Sequence, residues 1–164
     1  MTARLYVGTY AKYNAGSIRG AWLDLEDYAD RDAFLAACAE LHKDEADPEL
    51  MFQDYEGFPR GWYCESSAPP EELWQWLELS ETQQTVLQVY QENISDSGTI
   101  AQAEEAYYGT FKSEEEFAEE LWTETADIPD NLIGYIDWER VARDLRADYS
   151  MCDHDGQVWV FRNI

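Results

Sequence analysis

Positive charge is what this sequence most lacks. Of its 164 residues only 11 are Lys or Arg. Just three of these, Lys12, Lys43 and Lys112, are lysines. A chain so poor in bases cannot neutralise a run of phosphates, which argues against direct nucleic-acid binding. Histidine is as scarce. His42 and His154 stand apart, in no HExxH or comparable spacing, so no metal centre is expected. Each reads as a surface or supporting residue. Cys38, Cys64 and Cys152 are odd in number and form no CxxC pair, which excludes a disulfide framework. They read as buried, reduced thiols of a cytoplasmic protein. No stretch approaches the ~20 apolar residues of a membrane span, and the apolar run at Leu5–Val7 is too short for a signal peptide. A Gly-rich phosphate loop, a nucleophile elbow and a Walker sequence are all missing. Carboxylates three or four residues apart arise automatically in so acidic a chain, and no pair stands among aromatics as a glycosidase pair would. The expectation is a protein without catalysis, metal or cofactor.

Acid is what there is. The chain has 35 Asp and Glu, a net charge of −24 and a pI near 4.1. A small domain is soluble at roughly 2–8 charges of either sign. Beyond that, self-repulsion works against the compact state. The apolar content is nevertheless that of a folded protein, at 45% hydrophobic and 15% aromatic, with seven Trp and eleven Tyr. The charge therefore sits on a folded surface and not on a disordered tail. It is unevenly spread. Residues 1–60 are net −6 and residues 140–164 are neutral, whereas residues 61–139 hold 19 acids and one base, Lys112.

The apolar pattern divides into small pieces. Arg4–Tyr10 is β-branched and aromatic and predicts a strand, Lys12–Gly20 a loop, and Ile18–Leu25 a second strand. Asp30 caps a predicted helix to Leu41, with Phe34, Leu35, Cys38 and Leu41 on one face. Leu50–Tyr55 is a third strand. From about Trp62 the pattern turns helical. Pro69 and Pro70 open a helix with Leu73, Trp76 and Leu77 inward. Three capping boxes follow, at Ser80/Gln83, Thr99/Gln102 and Ser113/Glu116. The first opens a helix facing Val86, Val89 and Tyr90 inward, broken at Ser97-Gly98. The second carries the stripe Ile100, Ala103, Tyr107 and ends at Gly109 as a C-cap. The third turns Phe117, Leu121 and Trp122 inward and Glu114, Glu115, Glu119 and Glu120 outward. After a loop at Pro129, a helix over Trp138–Asp148 buries Val141, Ala142 and Leu145. Tyr149–Asp153 and Gln157–Arg162 are strands joined by the hairpin signal Asp155-Gly156. Asp153-His154-Asp155-Gly156 is only a fragment of a calcium loop and reads as that turn.

A solvated helix face normally interleaves Lys with Glu to gain pairing four residues apart. Here Glu115 and Glu119, and Glu116 and Glu120, are like-charge pairs with no Lys between them. The omission implies that negative potential is wanted, and its natural target is a cleft lined with Lys and Arg, such as a DNA-binding groove. Duplex DNA carries a charge per about 1.7 Å of axis. A dimer with about 48 net charges at that density would span about 80 Å, or two and a half turns.

The opening Ala3-Arg4-Leu5-Tyr6-Val7-Gly8-Thr9-Tyr10, then Tyr13-Asn14 and Gly20-Ala21-Trp22-Leu23-Asp24-Leu25, resembles the start of the ArdA antirestriction family. Ala103-Glu104-Glu105-Ala106-Tyr107-Tyr108-Gly109-Thr110-Phe111 resembles that family's antirestriction motif. The resemblance runs along the whole chain. It implies an α+β fold of three small domains in a row, forming an elongated, acidic, DNA-mimicking homodimer. The implied domains are residues 1–61 (α+β), 62–103 (helical) and 104–164 (α+β, with the dimer contacts). It implies a protein carried by mobile genetic elements that occupies the DNA groove of type I restriction–modification enzymes, on their methyltransferase core. The carboxylates standing in for phosphates would be Glu65, Glu71, Glu72, Glu78, Glu81, Glu92, Asp96, Glu104, Glu105, Glu114, Glu115, Glu119, Glu120, Glu124 and Asp127. Ala106, Tyr107, Tyr108, Gly109 and Phe111 would support packing and the dimer. Two other classes share the acidity. One is a chaperone for histones or another basic protein. The other is a salt-adapted cytosolic protein of unrelated function, which fits the shortage of lysine but not the uneven charge.

Overall fold

A computed structural model describes residues 2–164 as mixed helices and two small antiparallel sheets, an α+β protein. The chain divides into two compact units, one ending at Gln84 and the other covering Thr85–Ile164.

In the first unit β1 (Arg4–Thr9) lies between β2 (Ala21–Asp24) and β3 (Leu50–Glu56). Both pairings are antiparallel, with Leu5 opposite Leu23 and Tyr55. β2 is shorter than the Ile18–Leu25 of the sequence pattern, and Ile18 is exposed. Where a loop was expected, α1 (Tyr10–Asn14) follows β1, because Thr9 caps it through its hydroxyl to the Lys12 N–H at 3.2 Å. α2 (Arg31–Leu41) begins where predicted, with the Asp30 carboxylate accepting from the Ala33 N–H at 2.8 Å. Phe34 and Cys38 are its buried residues, and Leu5, Val7 and Phe52 of the sheet are buried too. Phe34 stacks on Phe52 at 6.1 Å and meets Trp74 at 5.8 Å. The edge of β3 is partly satisfied by the Glu65 carbonyl, which accepts from the Phe52 N–H at 2.8 Å. Gly57, at φ +78°, allows the chain to pass the Thr2 carbonyl, which a Cβ would approach to 2.4 Å.

Helix α3 (Glu72–Leu77) follows the double proline, the Pro70 carbonyl accepting from the Leu73 N–H. Leu73 and Trp76 are buried as expected. Trp74 is buried as well, and its indole N–H reaches the Leu25 carbonyl at 3.1 Å. α4 (Glu81–Asn93) opens with the predicted capping box. Ser80 Oγ accepts from the Gln83 N–H, and the Gln83 side chain accepts from the Ser80 N–H.

In the second unit β6 (Gln157–Arg162) is the central strand, between β4 (Tyr107–Phe111) and β5 (Tyr149–His154). β6 is buried from Val158 to Phe161, since both of its faces are covered. Val158 and Val160 pack with Phe111, Phe117 and Leu121. Phe161 meets Tyr90 at 5.6 Å and Tyr107 at 5.7 Å. The β5–β6 hairpin turns at Asp155 and Gly156, both at positive φ, as the Asp-Gly signal predicts.

The structure departs from the sequence pattern at four places in this unit. Helix α5 (Ile100–Ala106) carries the full Thr99/Gln102 capping box but ends at Ala106, not at Gly109. Tyr107 is already extended, and Gly109 lies inside β4. The register slips between Tyr107 and Gly109, leaving Tyr108 as the extra residue of a bulge. In α6 (Glu114–Thr125), Phe117, Ala118 and Leu121 are buried. Trp122, expected inward, is exposed and meets Trp138 edge-on at 6.0 Å. A single turn, α7 (Asp130–Ile133), interrupts the loop after Pro129. α8 (Trp138–Leu145) stops before Asp148, whose N–H closes a tighter turn onto the Leu145 carbonyl.

Candidate functional site

Thirteen of the fifteen acids named from the sequence are exposed, the exceptions being Glu72 and Glu114, which are half-buried. The first unit holds Glu65, Glu71, Glu72, Glu78 and Glu81, around α3 and the start of α4. The second holds Glu92 and Asp96 at the end of α4, Glu104 and Glu105 on α5, and the six from Glu114 to Asp127 on and after α6.

Several carboxylates are engaged within their own unit. Glu71 accepts from the Arg31 N–H at 3.0 Å, closing an open amide at the start of α2. Glu65 accepts from the Tyr10 hydroxyl at 3.1 Å, and Glu92 from the Gln88 side-chain amide at 3.2 Å. Glu114 forms an ion pair with Arg146 at 2.5 Å, which makes it a strut between α6 and the end of α8. Glu116, which the sequence list omitted, is exposed and accepts from the Lys112 N–H at 2.6 Å. Asp130 and Glu139 are further exposed acids that the list did not include.

The densest array is α6. Its buried Phe117, Ala118 and Leu121 fix one face, which turns Glu115, Glu116, Glu119, Glu120 and Glu124 to solvent. Glu114, Glu115 and Glu116 in the first turn face the positive end of the helix dipole and are favoured there. Glu119, Glu120 and Glu124 have no such compensation. The pairs Glu115/Glu119, Glu116/Glu120 and Glu120/Glu124 each carry like charges at one-turn spacing. Burial, and then the charges of Glu124 and Glu120, push the Tyr108 hydroxyl above its ordinary range. Burial and then the hydrogen bond to Glu65 do the same for Tyr10.

The motif residues are structural in their contacts. Ala106 and Phe111 are buried, and Tyr107, Tyr108 and Gly109 half-buried. Tyr107 exchanges a hydrogen bond with Thr110 at 2.6 Å. Tyr108 meets Phe117 and Tyr149 edge-on, with the Arg162 guanidinium 5.2 Å from its ring centre. A Cβ on Gly109 would come within 3.3 Å of the Phe111 ring.

Of the surface and supporting readings of His42, the structure bears out the second, since the residue is 1% exposed. Its Nε2 lies 3.0 Å from the Val7 carbonyl, which can only accept, so Nε2 carries the proton and Nδ1 accepts from Lys12 at 2.7 Å. His42, Asp44 and Glu45 bring ligand atoms within 4.8 Å of one another. The Lys12 ammonium already occupies that cluster, 2.9 Å from Asp44 and 3.1 Å from Glu45. Of the cysteines, Cys38 and Cys152 are buried as expected, but Cys64 is exposed. Hydrogen bonds to the Ser66 and Ser67 hydroxyls bring its thiol down to about 7.

No helix among the described residues is long and apolar enough to cross a membrane. No curated protein matches the chain. The model of the antirestriction protein (ArdA) family matches residues 5–158. That span takes in the first sheet from Leu5 onward, β4, β5 and the start of β6, and every acid named above, and the chain belongs to the ArdA antirestriction protein family.

Proposed function

We propose that this antirestriction protein acts as a mimic of B-form DNA, occupying the DNA groove of a type I restriction–modification enzyme on its methyltransferase core. The observation that carries the reading is the acid run itself. Residues 61–139 hold 19 acids against one base, and the acids named there are mostly exposed on helices whose other faces are buried. Such a surface is costly through self-repulsion and is useful only against a strongly basic partner. Inhibition on this reading is occupancy and involves no catalysis. It takes place in the cytoplasm, where incoming DNA meets the enzyme.

Three further features belong to the same reading. The exposed carboxylates stand in for phosphates, with the α6 face as the densest patch. Glu114 contributes by holding α6 to Arg146. The segment Ala106–Phe111 supports a homodimer whose contacts lie in the third of three domains, divided near residues 61 and 103.

A cleavage assay tests the function. Unmodified plasmid carrying the recognition site is incubated with a type I restriction enzyme and increasing amounts of this protein. Protection that saturates, and that weakens as salt is raised, is expected. Undiminished cleavage in the presence of excess folded protein would contradict it.

A further inference from the structure

The connection between α6 and α8 leaves apolar surface uncovered. Leu132 is 49% exposed and Tyr135 88% exposed. The Pro129 carbonyl accepts from the Leu132 N–H at 2.9 Å, and the Leu132 carbonyl from the Tyr135 N–H at 3.0 Å, so consecutive turns present the two side chains. Their base is packed, since Ile136 and Trp138 cover the buried Ala118, Val141 and Ala142. Single exposed apolar side chains are ordinary on protein surfaces. Here two fall within four residues, in the most acidic part of the chain. Between Lys112 and Arg140 there are ten acids and no base. Exposed Asp127, Asp130, Asp137 and Glu139 flank the turn in sequence.

That rim selects the partner. A second copy would bring the same acids against it, and an apolar partner would strip their water without return. Lys and Arg around a non-polar depression satisfy both rim and centre. Resting on the mimic reading, we propose that Leu132 and Tyr135 form an apolar anchor that seats within the Lys- and Arg-lined DNA groove of the restriction enzyme. Salt screens the carboxylate contacts. Apolar burial is not screened. The anchored protein therefore holds the groove at ionic strengths that release the duplex.

The experiment is displacement of a labelled duplex from a type I methyltransferase core, by the unaltered protein and by L132A/Y135A, at low and at high salt. Both side chains are exposed, so the fold is retained. The double variant is expected to need about tenfold more protein for half-displacement at each salt, with the same salt dependence, as truncation of a central apolar contact does. Displacement equal to that of the unaltered protein would overturn the anchor alone. So would a smaller sedimenting mass for the variant, which would make the turn a contact between copies. No displacement by the unaltered protein at any salt would remove the mimic reading and the anchor with it.

Discussion

At the scale of single residues, the informative groups are those whose surroundings differ from what their type suggests. Cys64 and Cys38 are both free thiols with opposite environments. Hydrogen bonds to Ser66 and Ser67 bring Cys64 down to about 7, whereas burial pushes Cys38 up to about 12. Thiolate is the reactive form. Alkylation of the folded protein is expected to modify Cys64 alone, with a rate that rises through neutral pH. Peptide mapping after brief iodoacetamide treatment checks this, and labelling at Cys38 before Cys64 would contradict it. Lys12 is the second such group. Its ammonium holds Asp44 below the ordinary carboxylate range. Glu45 is held down first by the Thr9 hydroxyl and then by Lys12. Carboxylates lowered in the folded state add stability above their unfolded range and lose it as pH falls through their folded values. Lys12→Met is expected to lower Tm at neutral pH and to flatten its fall below about pH 4. Thermal unfolding followed across pH measures both.

At the scale of elements, the local rules of helix initiation were legible and the ends were not. Asp30, Ser80, Thr99 and Ser113 all cap where their spacing predicted, because a cap is settled by a few consecutive residues. Thr99→Ala removes one half of a reciprocal box and is expected to cost about 1 kcal/mol, read from denaturant unfolding. The end of α5 was misread because Gly109 is the usual helix terminator. Pairing of Tyr107–Phe111 with β6 overrides that signal, and the glycine serves a bulge. α1 and α7 are one-turn helices, too short for a period to show. Trp122 was misplaced because the inner face of α6 is filled by Ala118, a residue with little hydrophobic signal. On α6 the like-charge pairs make a separate prediction. E120Q/E124Q is expected to raise helix stability by a few tenths of a kcal/mol at low salt. The same change is expected to weaken inhibition of restriction. Tm and plasmid protection measured on one preparation would separate the two effects.

At the scale of the whole molecule, the acidity was legible in composition, and its placement on helices in the period of the apolar residues. Which carboxylates already have partners was not, because Glu71 reaches Arg31 and Glu114 reaches Arg146 across long stretches of chain. The burial of His42 was equally hidden, since its partners Val7 and Lys12 lie some thirty residues away. The central claim is that this surface and DNA compete for one basic groove. Its most direct test is a mixture of the type I methyltransferase core, a labelled duplex carrying the recognition site and this protein, followed by sedimentation as salt is raised. Two exclusive complexes, core with duplex or core with protein, are predicted, with no species containing all three. A stable ternary complex would contradict the account, because the protein would then bind the enzyme away from the DNA groove.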